Sequence, residues 1–133
     1  ITPIEYPPTM LNCEGLENGK QRSCMNAEIV KLIRNNLALP LGFDSIDTIV
    51  RVYVSFIVDT TAQVSDIEIS LGADRYFSET QSDLIKKLNS EAIRVVGLFK
   101  YTEPGHMLGK AVRQKMTVPV TFSNPEKEKT TEE

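Results

Sequence analysis

The run Thr48 to Asp59, T-I-V-R-V-Y-V-S-F-I-V-D, constrains this chain more than any other stretch. Val50, Val52, Val54, Phe56 and Val58 recur at period two, which puts them on one face of a strand. The opposite face carries Ile49, Arg51, Tyr53, Ser55 and Ile57. With β-branched or aromatic residues on both faces, the strand reads as central in its sheet. The rest of the chain must supply its neighbours and cover its apolar face.

The first neighbour follows at once. Asp59 to Ala62 forms a short polar turn into Gln63 to Leu71, where Ile67, Ile69 and Leu71 alternate with Asp66, Glu68 and Ser70. Two such runs joined by a short polar link predict a β-hairpin. Val64 is out of phase, which predicts a bulge near Ser65. The second neighbour is Lys110 to Phe122. Val112, Met116, Val118, Val120 and Phe122 share one side, with Gln114 the polar break, and Arg113, Lys115 and Thr117 share the other. Pro119 inside this run cannot donate to a ladder, so the strand is expected to border its sheet. An edge strand offers unpaired backbone groups to a partner. Arg113 and Lys115, with Arg51, make a modest basic stripe, read first as a solvated face that discourages edge aggregation.

Two helices are expected to cover the apolar face. The first runs from about Met25 to Leu37, capped by Ser23 or Asn26, with Ile29, Leu32, Ile33 and Leu37 inward; Pro40 lies just beyond its end. The second opens at Ser78, which has capping-box spacing to Gln81, and runs to about Phe99. Leu84, Ile85, Leu88, Ala92, Val95, Val96 and Phe99 recur along it, and Asn89-Ser90 is a point where it could split. The resulting fold class is α+β: a two-layer domain with a three-stranded antiparallel sheet and two helices on one face, in the order α-β-β-α-β. Residues 1–12, with Pro3, Pro7 and Pro8, read as an extended lead-in without a regular element. The domain proper spans 13–122, and 123–133 reads as a charged disordered tail.

A net charge of -3 and a pI near 5.3 weigh against nucleic acid as the main ligand. No run approaches the length of a membrane span, and Ile1 is not an initiator methionine. The chain is therefore expected to be a mature or excised piece, with any anchor or export signal upstream. Catalytic signals are weak. His106 is the sole histidine and has no acid or thiol cluster beside it in sequence; the glycines form no phosphate-binding pattern. No catalytic residue, metal site or cofactor is expected. Cys13 and Cys24 are not a CxxC pair, and their spacing alone leaves a small disulfide loop and two free thiols equally open.

Taken together these segments resemble the C-terminal domains of TonB energy transducers. The resemblance rests on R-V-Y-V-S-F-I-V-D followed by A-Q-V-S-D-I-E-I, on E-A-I-R-V-V-G-L-F-K-Y with Pro104-Gly105, and on G-K-A-V-R-Q-K-M-T-V-P-V-T-F. It extends collinearly from about Cys13 to Phe122. Upstream, Y-P-P-T-M-L-N-C-E-G and R-S-C-M-N-A-E-I are similar to a subgroup with a cysteine pair before the first helix, which implies a Cys13–Cys24 disulfide.

The resemblance implies a non-enzymatic periplasmic domain that binds the TonB-box peptide of an outer-membrane transporter as an added strand. The implied partner-binding residues are Val112, Arg113, Gln114, Lys115, Met116, Thr117, Val118, Val120 and Phe122. It further implies an ExbB–ExbD-type inner-membrane motor acting through a transmembrane helix, coupling to siderophore or nutrient uptake, and a monomer or a weak, strand-exchanged homodimer. The alternative is a secreted or membrane-tethered interaction or sensor domain with the same fold and no transport coupling. The chain departs from the pattern in having Ala62 where the hairpin turn usually has glycine, a longer segment from Arg75 to Leu88, and Tyr101 in place of the common tryptophan before Pro-Gly.

Overall fold

The computed structural model describes residues 6–43 and 46–124. Its elements, in chain order, are β1 (Thr9–Met10), α1 (Asn18–Asn36), β2 (Val50–Val58), β3 (Val64–Leu71), α2 (Ser82–Val96), β4 (Tyr101–Glu103), β5 (Gly105–Met107), β6 (Lys110–Val112) and β7 (Gln114–Phe122). The fold is α+β, with two helices and a three-stranded antiparallel sheet of order β3-β2-β7. Two small sheets, β1-β4 and β5-β6, accompany it and were not foreseen from the sequence.

β2 is the middle strand, as its two apolar faces require. Val50, Val52, Val54, Phe56 and Val58 are fully buried and share one hydrophobic cluster with Met25 and Ile29 of α1 and Leu88, Ala92 and Val96 of α2. Phe56 meets Phe99 edge-on at 5.7 Å between ring centroids and lies 6.3 Å from Tyr101. The odd-numbered face stays more open: Arg51 is exposed and Tyr53 half-buried, with the Arg75 guanidinium 5.8 Å above the Tyr53 ring.

The β2–β3 hairpin turns at Asp59. One carboxylate oxygen accepts the N–H groups of Thr61 and Gln63 at 2.9 and 3.0 Å and the Thr61 hydroxyl at 2.6 Å. Ala62, at φ 65°, takes the left-handed conformation that glycine adopts more readily. The bulge falls one residue beyond Ser65: Ser65 opposes Ile57 and Glu68 opposes Ser55, leaving Asp66 and Ile67 across from Phe56. Asp66 itself has φ 50°.

The two carboxylates that tie local structure together predict an acid dependence. Hydrogen bonds from Thr61 first, and then Gln63, hold the Asp59 carboxyl below its ordinary 3.8, and the Arg94 guanidinium holds Glu91 below 4.5. Depressed folded-state values mean that these contributions are present above the unfolded-state values and fade as pH falls through the folded ones. Carbon-detected titration should therefore give midpoints below 3.8 for Asp59 and below 4.5 for Glu91. Asp59→Asn should remove part of the stability gained between acid and neutral pH.

Several boundaries move. α1 begins at Asn18, seven residues before the expected start at Met25, with Glu17 as its N-cap and no side-chain cap hydrogen bond. Cys24 therefore lies inside the helix instead of preceding it. Gln21, in that added turn, is buried and donates a hydrogen bond to the Thr9 hydroxyl. Thr9 and Met10 pair with β4, so the lead-in does contribute a strand; residues 1–5 lie outside the described part.

At the second helix, Ser78 caps only a short 3-10 turn, Glu79–Gln81, and makes no capping-box bond. α2 starts at Ser82, ends at Val96 and is continuous through Asn89-Ser90. The Asn89 side chain instead accepts the Ala73 N–H at 2.9 Å, tethering the 3-10 turn Ala73–Tyr76. Glu91 and Arg94 reach across to the end of α1, Glu91 accepting the Ala38 N–H at 2.7 Å and Arg94 donating to the Asn36 carbonyl at 2.6 Å.

The expected strand Lys110–Phe122 is broken at Arg113. Lys110–Val112 pairs with β5, and only Gln114–Phe122 joins the main sheet. Past it, Asn124 donates to the carbonyls of Phe43 and Ile46, so the ordered chain extends beyond the expected end at Phe122; residues 125–133 of the tail lie outside the described part. Cys13 and Cys24 form a disulfide, with Cys13 fully buried.

Candidate functional site: the free edge of β7

β7 pairs with β2 over nine residues in unbroken register, from Val58 opposite Gln114 to Val50 opposite Phe122. Its other edge has no strand beside it among the described residues. Which backbone groups face that edge follows from Pro119. Proline has no N–H, and Pro119 lies opposite Tyr53 without disturbing the ladder, so this is a non-hydrogen-bonded pair. The same parity appears on β2: the Arg51 N–H bonds the Tyr76 hydroxyl at 3.3 Å, and the Arg51 carbonyl accepts from Arg75 at 2.5 Å, both away from β7. Alternation then turns the N–H and C=O groups of Lys115, Thr117 and Thr121 outward. At Pro119 only the carbonyl remains.

The side chains divide by the same parity. Val118, Val120 and Phe122 are buried and Met116 half-buried, while Lys115, Thr117 and Pro119 are exposed. Of the sequence-predicted binding residues, Lys115 and Thr117 present both backbone and side chain on the outer side. Gln114, Met116, Val118, Val120 and Phe122 spend their backbone groups on β2 and can shape the edge only by supporting it. Val112 and Arg113 fall outside β7: Val112 belongs to β6, and Arg113 sits in the break.

The basic stripe is partly spent. Arg113 pairs with Asp66 at 3.3 Å, and Arg51 donates to the Thr121 hydroxyl at 3.3 Å. Both partners of the Arg113–Asp66 pair are largely exposed, so the pair adds little stability. Lys115 has no charge partner among the described residues.

One side of this edge was not visible in the sequence. Between α1 and the outer edge of β7 runs a groove of about 380 Å³, lined by Val30, Ile33, Arg34 and Leu37 and by Pro119 and Thr121. Val30 is 52% exposed and Leu39, also on the groove, 39%, so large apolar side chains flank the edge uncovered. Val30 and Arg34 had no inward role in the helical pattern, because the groove forms only when α1 and β7 meet.

His106, the sole histidine, pairs by backbone with Tyr6: the Tyr6 N–H donates to the His106 carbonyl at 3.3 Å, and the His106 N–H donates to the Tyr6 carbonyl at 2.9 Å. Among the described residues no group of three or more His, Cys, Asp or Glu side chains is placed to hold a metal. The buried Tyr101 hydroxyl faces the sulfurs of Met25 and Met116 at 3.7 and 3.9 Å, and burial pushes its pKa well up, so it stays protonated. Among the described residues no helix is long and apolar enough to cross a membrane.

No protein-family model matches this chain, and no curated protein matches it.

Proposed function

We propose that this chain is a non-enzymatic, periplasmic peptide-binding domain that takes the TonB box of an outer-membrane transporter as an extra strand on β7. In this reading both helices form one layer over the sheet, leaving its β7 edge to the partner. The inner-membrane proton-motive force reaches the transporter through a motor of the ExbB–ExbD type. The observation that carries the proposal is that, among the described residues, no strand lies on the outer edge of β7, where the N–H groups of Lys115, Thr117 and Thr121 face outward. Main-chain pairing of this kind supplies affinity with little sequence demand, and flanking pockets supply selectivity. The collinear order of hairpin, helix and proline-containing last strand supports the same reading.

Calorimetric titration with TonB-box peptides tests it. Thr117→Pro removes one outward donor without touching a bond to β2, as Pro119 already does naturally. Wild-type protein should bind, and the variant should bind about two- to tenfold more weakly from the hydrogen bond alone. Equal binding by both proteins, or none by either, would sink the proposal.

A further inference from the structure

The free edge of β7 has two unlike halves. At Lys115 and Thr117 it offers outward N–H and C=O groups, with no wall of α1 beside them in the groove lining. At Pro119 the donor is missing, so an incoming residue can donate to the Pro119 carbonyl but leaves its own carbonyl unpaired. From this point the α1 groove begins. Val30, Ile33 and Leu37 form its apolar wall, and Pro119 and Thr121 its sheet side. Arg34 stands on the same wall, exposed, with no hydrogen-bond or ion-pair partner among the described residues. Backbone pairing weakens where side-chain contact becomes available.

We infer that this groove selects the partner strand by a large apolar side chain and a carboxylate two residues apart. The inference rests on the strand-addition reading above and names the chemistry that reading leaves open. In an extended strand, residues i and i+2 point to the same side, about 7 Å apart. One then fills the space against Val30, Ile33 and Leu37, and the other meets the Arg34 guanidinium. Charge complementarity fixes the sign: Arg34 here and Lys115 on the open half favour an acidic segment over a basic one. Exposure of Val30 and Leu39 gives the apolar member an area to cover.

The probes are synthetic eight-residue peptides in a Thr/Ser/Val host, carrying Leu and Glu two residues apart. They are compared with versions in which Glu is replaced by Lys or Leu by Ser. Binding is followed by amide shifts of isotope-labelled protein. Replacing Glu by Lys should weaken binding roughly fivefold, the scale of a half-exposed ion pair. Replacing Leu by Ser should weaken it about tenfold or more. Arg34→Gln should abolish the preference for Glu over Lys while leaving the β2 amides unshifted.

Equal affinity for the Glu and Lys peptides, with shifts still centred on Lys115 and Thr117, overturns the inference and leaves strand addition standing. Shifts at neither residue with any peptide overturn strand addition itself. A dimer by sedimentation, with β7 amides already protected without peptide, assigns the edge to a second copy and overturns both.

Discussion

Replacing Phe56 by alanine is expected to lower unfolding free energy by about 3–5 kcal/mol, the range for deleting a buried aromatic ring. The ring is fully buried at the middle of the central strand. It touches Phe99, just beyond α2, edge-on and lies beside Tyr101 of β4, so its loss opens a cavity bounded by several elements at once. Collapse from any one side is limited by the others. Thermal unfolding should show the Tm falling by roughly 10–20 °C for a domain of this size. A change of a degree or two would mean that Phe56 does not bridge these elements. Ile57→Ala, on the half-open face of the same strand, should cost much less.

Reduction of the Cys13–Cys24 disulfide is the second large effect. The bond joins the segment after β1 to the second turn of α1 across a sequence separation of 11. Closing a loop of this length restricts the unfolded chain by about 2–3 kcal/mol. Cys13 is fully buried and belongs to the core cluster, so reduction also leaves thiols where a cross-link had packed. Mass analysis of unreduced protein should find no alkylatable thiol, and reductant should lower the urea midpoint. Two alkylatable thiols, or a midpoint indifferent to reductant, would contradict the role given to this bond. The N-terminal segment should loosen first, because β1 is only two residues long and relies on this anchor.

The parts of the fold legible in the sequence are those where burial writes a period. In β2 the even residues are fully buried and the period-two pattern alone places them. In α2 the spacing of Leu88, Ala92 and Val96 marks the buried face. Pro119 marked the edge strand correctly, because proline chemistry excludes the interior of a ladder.

The misses have equally physical causes. The first turns of α1 carry Gly19, Lys20, Gln21 and Arg22, with no apolar rhythm, and the inward-facing side chain there is a glutamine satisfied by Thr9. A buried polar pair leaves no period to read. The break at Arg113 was hidden because Val112 and Gln114 keep the alternating phase on either side of it, although they belong to different sheets. β1 pairs through two residues only, too few for any pattern. The edge of the candidate site was readable, and its groove was not: Val30 and Arg34 gain a role only from their position opposite Pro119 and Thr121.

In the proposed function, β7 receives a partner strand through its odd-numbered backbone groups. Amide hydrogen exchange with and without a TonB-box peptide tests it most directly. Lys115, Thr117 and Thr121 should exchange more slowly in the complex, because their N–H groups face the free edge. Val118 and Val120, already bonded to β2, should change little. Protection that ignores this parity, or appears away from β7, would contradict the account.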